Sequence, residues 1–355
     1  MSWAASWVDA TLRAESTPWW AAHPGEPVQR KEPNMPGGIL ELIGRDVVLG
    51  DGGYLIELER RGCVATGSGQ DKGKQWTPEV AVENPEALRQ LHREFLGAGS
   101  MVLQALTFFG SREKLTRAGY GAKTEVINQA AVRIARDVAG DRALVAGTIS
   151  RTQLFEREGP SAAGHVRDLF AEQIRILDDT GVDFLILETF FRLDEMLIAL
   201  ACARSTGLPI IATMTFRPRL TSTADGHSPE ECSKTLLGEG AQIVGANCEQ
   251  EPKRILLVVR AMRQAVDAPV AVQPAAFRTT DETPCFCLLP QFPDELETIH
   301  VSRHEFFDLA SHARTEGIGY LGGCCGCNAA YIRAMAGGLS ATKHRGAGAG
   351  ALPWV

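Results

Sequence analysis

Eight short apolar runs, separated by segments of helical period, constrain this chain more than any other feature of its sequence. The runs are rich in Val, Ile and Leu. Near-continuous apolar runs of this length are typical of a parallel sheet that is covered on one face and packed on the other. They occupy residues 47–50, 101–108, 143–149, 183–190, 209–216, 243–248, 269–275 and 319–324.

The segments between the runs carry apolar residues at helical spacing. Leu88, Leu91 and Phe95 repeat on one face of a helix that Asn84 and Pro85 are predicted to begin. Similar stretches occupy roughly residues 124–139, 166–181, 192–206, 229–239, 253–266 and 302–316. Strands that alternate with helices in this way favour an α/β fold, a (β/α)8 TIM barrel, over a doubly wound sheet.

The composition is that of an ordinary soluble enzyme and argues against several other classes. Of the 355 residues, 45% are hydrophobic and 22% charged, which allows a substantial core. The net charge of -7 gives no basic surface for nucleic acid, and no apolar run approaches the roughly 20 residues that cross a membrane. An odd count of nine cysteines and no basic-then-apolar leader favour a reducing compartment, so we expect a cytoplasmic protein.

Three regions are predicted along the chain. Residues 1–38 carry tryptophans and prolines without a sustained period, which indicates an arm packed outside the main domain, or else a lid or an oligomer contact. Residues 39–345 are predicted to form the barrel as a single domain, and residues 346–355 a short tail.

Chemistry-bearing side chains collect at the predicted carboxyl ends of the strands, where barrel enzymes place their active sites. These residues are, in chain order, Asp51, Gln104, Glu188, Cys248, Gln273, Cys324 and Cys325. A functional site at this end of the barrel is therefore predicted.

Cys248 and the adjacent pair Cys324 and Cys325 form a candidate metal site. The sixth and eighth strands flank the seventh, so the ends that carry these cysteines can lie close together. Three sulfurs with an open position are one way in which a catalytic zinc is held; a buried cysteine that is only a small hydrophobe is the alternative. The histidines of the helical stretches, His92, His165 and His312, are predicted not to be ligands. Further soft ligands are Cys285, Cys287 and Cys327.

Asp51 and Glu188 support a different class of function. A carboxylate pair at the rim of a barrel could hydrolyse glycosides. Against this, the chain has only four tyrosines as platforms for sugar, and the cysteine cluster would be left without a purpose. A hydrolase or lyase with a structural zinc stays open as the alternative.

Five blocks of sequence resemble the homocysteine S-methyltransferase family, most closely its betaine-dependent enzymes. The blocks are GDGG at 50–53, GKQWTPE at 73–79, QLHREFL at 90–96, GANC at 245–248 and GGCCG at 322–326. The resemblance implies a zinc enzyme, with Cys248, Cys324 and Cys325 as ligands. It also implies transfer of a methyl group from an ammonium or sulfonium donor to the thiol of homocysteine, giving methionine. The same chemistry on another thiol or a selenol is an alternative.

The resemblance also implies roles for residues on the acceptor side. Asp51, Gly52 and Glu188 would hold the amino-acid end of homocysteine, with both carboxylates on its α-ammonium. Asn247 would support the cysteine ligand beside it. Gln104 and Gln273, with the backbone near Gly323, match positions that bind a structural potassium ion in close relatives.

On the donor side, the sequence departs from the betaine-dependent enzymes. Trp76 matches the tryptophan whose ring contacts the onium group. Phe109 and Thr189, however, stand where those enzymes carry tyrosines, so two phenolic hydroxyls are missing. We therefore expect a donor other than glycine betaine. The betaine enzymes also continue into a C-terminal arm that builds their oligomer, so their oligomeric state is not carried over.

Overall fold

The computed structural model describes residues 37–63, 78–216 and 221–343, and in them eight parallel strands form one sheet. The strand order is β1-β8-β7-β6-β5-β4-β3-β2. A backbone hydrogen bond of 2.7 Å from Met101 N to Leu49 O joins the two ends of this order, so the sheet is nearly closed into a barrel. The strands are β1 Val48–Leu49, β2 Val102–Gln104, β3 Leu144–Ser150, β4 Phe184–Phe190, β5 Ile210–Met214, β6 Ile243–Asn247, β7 Val270–Gln273 and β8 Ile318–Leu321.

Helices alternate with the strands, which confirms the predicted TIM barrel. Asn84 precedes the helix that begins at Pro85, as predicted, but its side chain makes no capping hydrogen bond. The helices are α1 Ile39–Arg45, α2 Leu55–Arg60, α3 Val80–Glu83, α4 Pro85–Ala98, α5 Arg112–Arg117, α6 Thr124–Ala139, α7 Leu154–Glu158, α8 Ala163–Thr180, α9 Leu193–Arg204, α10 Pro229–Gly238, α11 Pro252–Ala265, α12 Arg303–His312 and α13 Ala329–Lys343.

The barrel interior is filled with apolar side chains at the amino end of the strands. There α1 contributes Ile39 and Ile43 to a buried cluster with Phe184 and Tyr320 from opposite parts of the sheet. Because α1 packs into this cluster just before β1, the amino end of the barrel is closed. Space for polar side chains and a ligand is therefore found at the carboxyl end of the barrel.

Two predicted regions fall largely beyond what the structure covers. The arm at 1–38 is described only from residue 37 onward, and the tail at 346–355 lies outside the described residues. Across the residues that the structure does describe, no helix has the length and hydropathy to cross a membrane.

Candidate active site

Three cysteine sulfurs converge at the carboxyl end of the barrel. The Sγ atoms of Cys248, Cys324 and Cys325 all lie within 4.8 Å of one another, and those of Cys248 and Cys325 are 3.5 Å apart. Among the described residues, no histidine joins them and no other group of three metal-ligating side chains lies so close.

Cys248 enters the cluster through a sharp turn at the end of β6. Its backbone and that of Glu249 both adopt the left-handed conformation, with φ of 63° and 60°. Such a conformation costs a non-glycine residue about 1–3 kcal/mol and persists only where surrounding contacts hold it. Here Cys248 N donates to Gln273 O at 2.8 Å, and Gln250 N donates to Cys248 O at 2.8 Å. The turn fixes the direction of the sulfur.

The other two cysteines lie in a glycine-rich loop after β8 that packs on the loop after β1. Gly323 N donates to Asp51 O at 2.8 Å, and Gly53 N donates to Cys327 O at 2.9 Å. A Cβ at Gly53 would lie 2.4 Å from Cys324 O, so only glycine fits there. This contact explains why the GDGG and GGCCG blocks belong together.

The donor set fits a soft divalent cation. The pKa values of Cys324 and Cys325 stand well above that of a free thiol, because each thiol shares a hydrogen bond with Cys248 and is partly removed from water. A bound cation would favour the thiolates that this environment otherwise disfavours. Apolar side chains that include Phe277 and Phe286 surround the cluster. Such a shell limits water around a metal.

The remaining cysteines near the site lie outside the cluster. Cys327 donates from its sulfur to Pro274 O at 3.4 Å, so it serves the loop backbone. Cys287 packs against the apolar shell, and neither Cys285 nor Cys287 is part of the group of three converging sulfurs.

A pocket with about 540 Å³ of space, counted to its open mouth, contains the cysteine cluster in its wall. Most of the predicted site residues line it, together with apolar side chains. The lining residues are Gly52, Gly53, Tyr54, Leu55, Ile56, Gln104, Ala105, Leu106, Phe108, Thr148, Glu188, Cys248, Gln273, Gly323, Cys324 and Cys325. Apolar walls with a few polar groups are typical of a small-molecule site.

Asp51 is fully buried just behind this lining. Its Oδ2 accepts hydrogen bonds from the Tyr54 hydroxyl and, at 2.7 Å, from Gln104 N, while Oδ1 has no partner among the described residues. Burial raises the pKa of Asp51 to about 7. The hydrogen bonds from Tyr54 and Gln104 N therefore hold the carboxylate through Oδ2.

Glu188, near the end of β4, is the second buried carboxyl. Burial, with further contributions from Cys248 and Asp51, raises its pKa well above the usual range. Asn247 Nδ2 donates to Glu188 Oε2 at 3.4 Å. The support that Asn247 is expected to give to the neighbouring Cys248 stays a prediction. Among the described residues, no cationic side chain pairs with either carboxyl.

Thr189 lies beside the pocket and not in its lining. Its backbone adopts the left-handed conformation, with φ of 60°, and its hydroxyl accepts from Asn247 Nδ2 at 2.7 Å. Thr189 N in turn donates to Asn247 Oδ1 at 2.8 Å. Two hydrogen bonds thus join Thr189 to Asn247, and Thr189 places no side chain in the pocket lining.

Phe109 and Trp76 are the other predicted donor-side residues, and only Phe109 is among the residues that the structure describes. Phe109 packs on Phe108 with ring centroids 4.2 Å apart, and it is Phe108 that lines the pocket. Trp76 lies outside the described residues. Gln273 Oε1 is buried with no partner in the described ranges. No observation bears on potassium, which stays a prediction.

Sequence reasoning missed Tyr54, Phe108 and Thr148 as pocket residues. Tyr54 follows the GDGG block directly, so its place in the pocket could have been inferred from that loop. Phe108 was hidden because two adjacent phenylalanines follow β2, and their pattern alone does not tell which one faces inward.

Comparison with known proteins agrees with this site. A family model described as homocysteine S-methyltransferase matches residues 48–339. Betaine–homocysteine S-methyltransferase 1 of Bos taurus is 38% identical over 353 residues, which cover 91% of this chain and 83% of the relative. S-methylmethionine–homocysteine S-methyltransferase BHMT2 of Pongo abelii is 36% identical, with coverage of 91% and 90%.

A solved structure has the same fold. The metallated form of the homocysteine methyltransferase MmuM from Escherichia coli superimposes with a TM-score of 0.65 at 20% identity. The match covers 83% of this chain and 97% of that one.

Proposed function

Because the chain belongs to the homocysteine S-methyltransferase family, we propose that it methylates homocysteine from an onium donor at a zinc ion held by Cys248, Cys324 and Cys325. The observation that carries this proposal is the convergence of three sulfurs within 4.8 Å in the wall of a pocket that also contains Glu188. Three protein ligands leave a fourth position open to a substrate.

The cysteines would supply the metal ligands, and the metal would stabilise the thiolate of the substrate. When bound, zinc would hold the substrate sulfur as a thiolate at neutral pH, where a free thiol of pKa near 8.5 is mostly protonated. The thiolate electron pair forms the new bond from sulfur to the methyl carbon. The bond from that carbon to the onium nitrogen or sulfur breaks, and the donor leaves as a neutral amine or thioether.

The two buried carboxyls fit the α-ammonium of homocysteine. Burial disfavours the charged forms of Asp51 and Glu188, whose pKa values are raised, and no cation among the described residues compensates them. A bound ammonium would favour both carboxylates, since an opposite charge within a few ångströms stabilises the ionised form. Gly52, whose backbone lines the pocket, would meet the α-carboxylate.

The donor side fits an onium methyl group more than a carboxylate. Ile56, Leu106 and Phe108 give the pocket apolar walls that exclude water from the transferring methyl. Thr189 accepts a hydrogen bond from Asn247 and does not line the pocket, so the phenolic hydroxyl that would meet a betaine carboxylate is missing at this position. We therefore propose a donor other than glycine betaine, such as a sulfonium or a differently substituted ammonium, with Trp76 near the onium group.

Zinc content and turnover, measured together, test the proposal. Purified protein should carry close to one zinc per chain and form methionine from homocysteine with at least one donor in a panel of ammonium and sulfonium compounds. Cys325→Ser should lose most of the zinc and at least a hundredfold in turnover, because a site with two thiolates binds the metal weakly. Cys202→Ser, at a cysteine on α9 outside the cluster, is the matched control and should keep both.

Two results would contradict separate parts of this proposal. Turnover that survives in a metal-free Cys325→Ser protein would argue for chemistry at Asp51 and Glu188 alone. Glycine betaine used at least as efficiently as every other donor would contradict only the donor assignment.

The compartment, the role of the N-terminal arm and the potassium site are proposed on separate grounds. All nine cysteines are free, which supports the reducing cytoplasm as its compartment. The arm at 1–38 is proposed as a packing or assembly segment, and light scattering on a chain that lacks it would test this. The potassium site near Gln104 and Gln273 stays a prediction, testable by the dependence of activity on potassium.

A further inference from the structure

A buried chain of hydrogen bonds leads from Asp51 into the helical layer. The Tyr54 hydroxyl contacts Asp51 Oδ2 on one side and His92 Nδ1, 3.0 Å away, on the other. Asp51 and His92 are both fully buried, and Tyr54 is nearly so. Tyr54 directly precedes α2 and His92 lies in α4, so the Tyr54 hydroxyl links both helices to Asp51.

When Asp51 is ionised, the donor and the acceptor in each of these hydrogen bonds are determined. The single proton of the Tyr54 hydroxyl then goes to Asp51 Oδ2, so the phenol oxygen must accept from His92 Nδ1–H. His92 Nε2 is buried and has no partner in the described part of the chain, as suits the unprotonated nitrogen of a neutral ring. Burial lowers the pKa of His92 to about 3, which keeps the ring neutral.

The ring of Tyr54 is fixed as well as its hydroxyl. It packs on His92 with centroids 5.0 Å apart and on Phe95 at 5.2 Å with an interplanar angle of 74°. Both partners project from α4, whose apolar face is buried against the barrel. Tyr54 also lines the pocket, and its side chain cannot turn to solvent without losing these contacts.

These hydrogen bonds determine which carboxylate oxygen of Asp51 is available to a ligand. Tyr54 and Gln104 N both bind Oδ2, and Oδ1 is left without a partner among the described residues. A buried unpartnered carboxylate oxygen is costly unless a ligand satisfies it. It is also suited to an incoming ammonium, because it can accept from one of the three N–H donors at a fixed position.

We propose that Tyr54 and His92 are positioning residues for the acceptor substrate: they hold Asp51 so that its free Oδ1 receives the α-ammonium of homocysteine. This inference rests on the proposed function. Tyr54 and His92 act through Asp51 and take no part in the methyl transfer itself. Their contribution therefore belongs to acceptor recognition and not to the donor or the metal.

The test compares acceptors that differ only in the amino group. Homocysteine and 4-mercaptobutyrate, which lacks the α-ammonium, are assayed with one donor at saturation. Tyr54→Phe keeps the ring and removes the hydroxyl. It should raise the KM for homocysteine about tenfold, the usual effect of losing a hydrogen bond to a charged group. It should lower the preference for homocysteine over 4-mercaptobutyrate by a similar factor, with donor KM and zinc content within twofold of wild type.

Two further variants separate positioning from packing. His92→Asn keeps an N–H donor near the Nδ1 position and should retain most of the preference, whereas His92→Leu should lose it. Tyr331→Phe is the matched control, because Tyr331 also pairs with a histidine, His300 Nδ1 at 2.9 Å, but has no carboxylate partner. It should leave the acceptor preference unchanged at a comparable cost in stability.

The outcomes distinguish this inference from its premise. A wild-type protein that forms no methionine with any donor would overturn both. Wild-type turnover with an unchanged preference in Tyr54→Phe and His92→Leu would overturn the positioning role alone. An equal loss of preference in Tyr331→Phe would also overturn it, by making the effect one of general destabilisation.

Discussion

Several buried polar side chains at the carboxyl end of the barrel are joined to one another by hydrogen bonds. Asn247 shows this most clearly, since its amide serves Thr189, Thr213 and Glu188 together. Replacing a residue with so many buried partners leaves several polar groups unsatisfied at once. Such networks fix the geometry of a site at a cost that the surrounding core must offset.

Lys114 is a buried cation that the methyl-transfer proposal does not use. It is 1% exposed, and its Nζ lies 4.3 Å from the centroid of the Phe109 ring. Burial, with a contribution from Arg151, lowers the pKa of Lys114 to about 7. The folded protein therefore binds fewer protons here than the unfolded chain between about pH 7 and the unfolded lysine pKa near 10.4, so stability rises with pH in that interval.

Lys114→Met should consequently stabilise the protein most at or below pH 7. The expected gain is on the order of 1–3 kcal/mol at pH 6, where the buried ammonium is fully charged, reduced by the lost contact with the ring. It should shrink as pH approaches 10. Chemical denaturation at several pH values measures this. Lys123→Met is the control, since Lys123 is exposed above the ring of Tyr120 and should change stability by under about 0.5 kcal/mol. A gain that does not vary with pH would contradict the assignment.

At the scale of elements, the sequence predicted every strand and seven of the thirteen helices named above, and α13 is the longest helix that it missed. The strands were readable because long runs of Val, Ile and Leu have few other uses in a soluble protein. In contrast, α13 is rich in Ala and Gly, and its apolar face is too weak to stand out from a loop. Its place depends on close packing against α12, which is a tertiary property.

That packing yields a prediction on two adjacent glycines of α13. A Cβ at Gly338 would lie 2.3 Å from Phe307 O and 2.9 Å from Ala310 Cβ, whereas at Gly337 the nearest atom is 3.5 Å away. Gly338→Ala should therefore destabilise the protein by about 1–3 kcal/mol through overpacking. Gly337→Ala should stabilise it by about 0.5–1 kcal/mol through helix propensity. Thermal unfolding of both variants decides the matter, and two changes of the same sign would show that α12 and α13 do not pack this closely.

At the scale of the whole molecule, barrel closure brings the site together from distant parts of the chain. Cys248 and Cys325 are 77 residues apart in sequence, and their sulfurs meet because β6 and β8 flank β7. This much could be predicted, since strand order in a barrel follows chain order. The link from Tyr54 to His92 could not, because it depends on how the start of α2 meets α4, and neither residue carries a sign of its partner.

A metal that bridges β6 and β8 should also stabilise the entire barrel. Binding to the folded state alone adds about 4 kcal/mol when free metal exceeds its Kd a thousandfold. For a chain of this size we expect chelation to lower the Tm by several degrees, and added zinc to restore it. Cys248→Ser should remove most of this response, because it breaks the bridge at β6, while Cys202→Ser should keep the wild-type response. Differential scanning calorimetry with and without chelator measures the shift. A Tm that chelation leaves unchanged, in protein shown to have lost its zinc, would mean that the three sulfurs are already held in place by the loops around them and that the metal serves the chemistry alone.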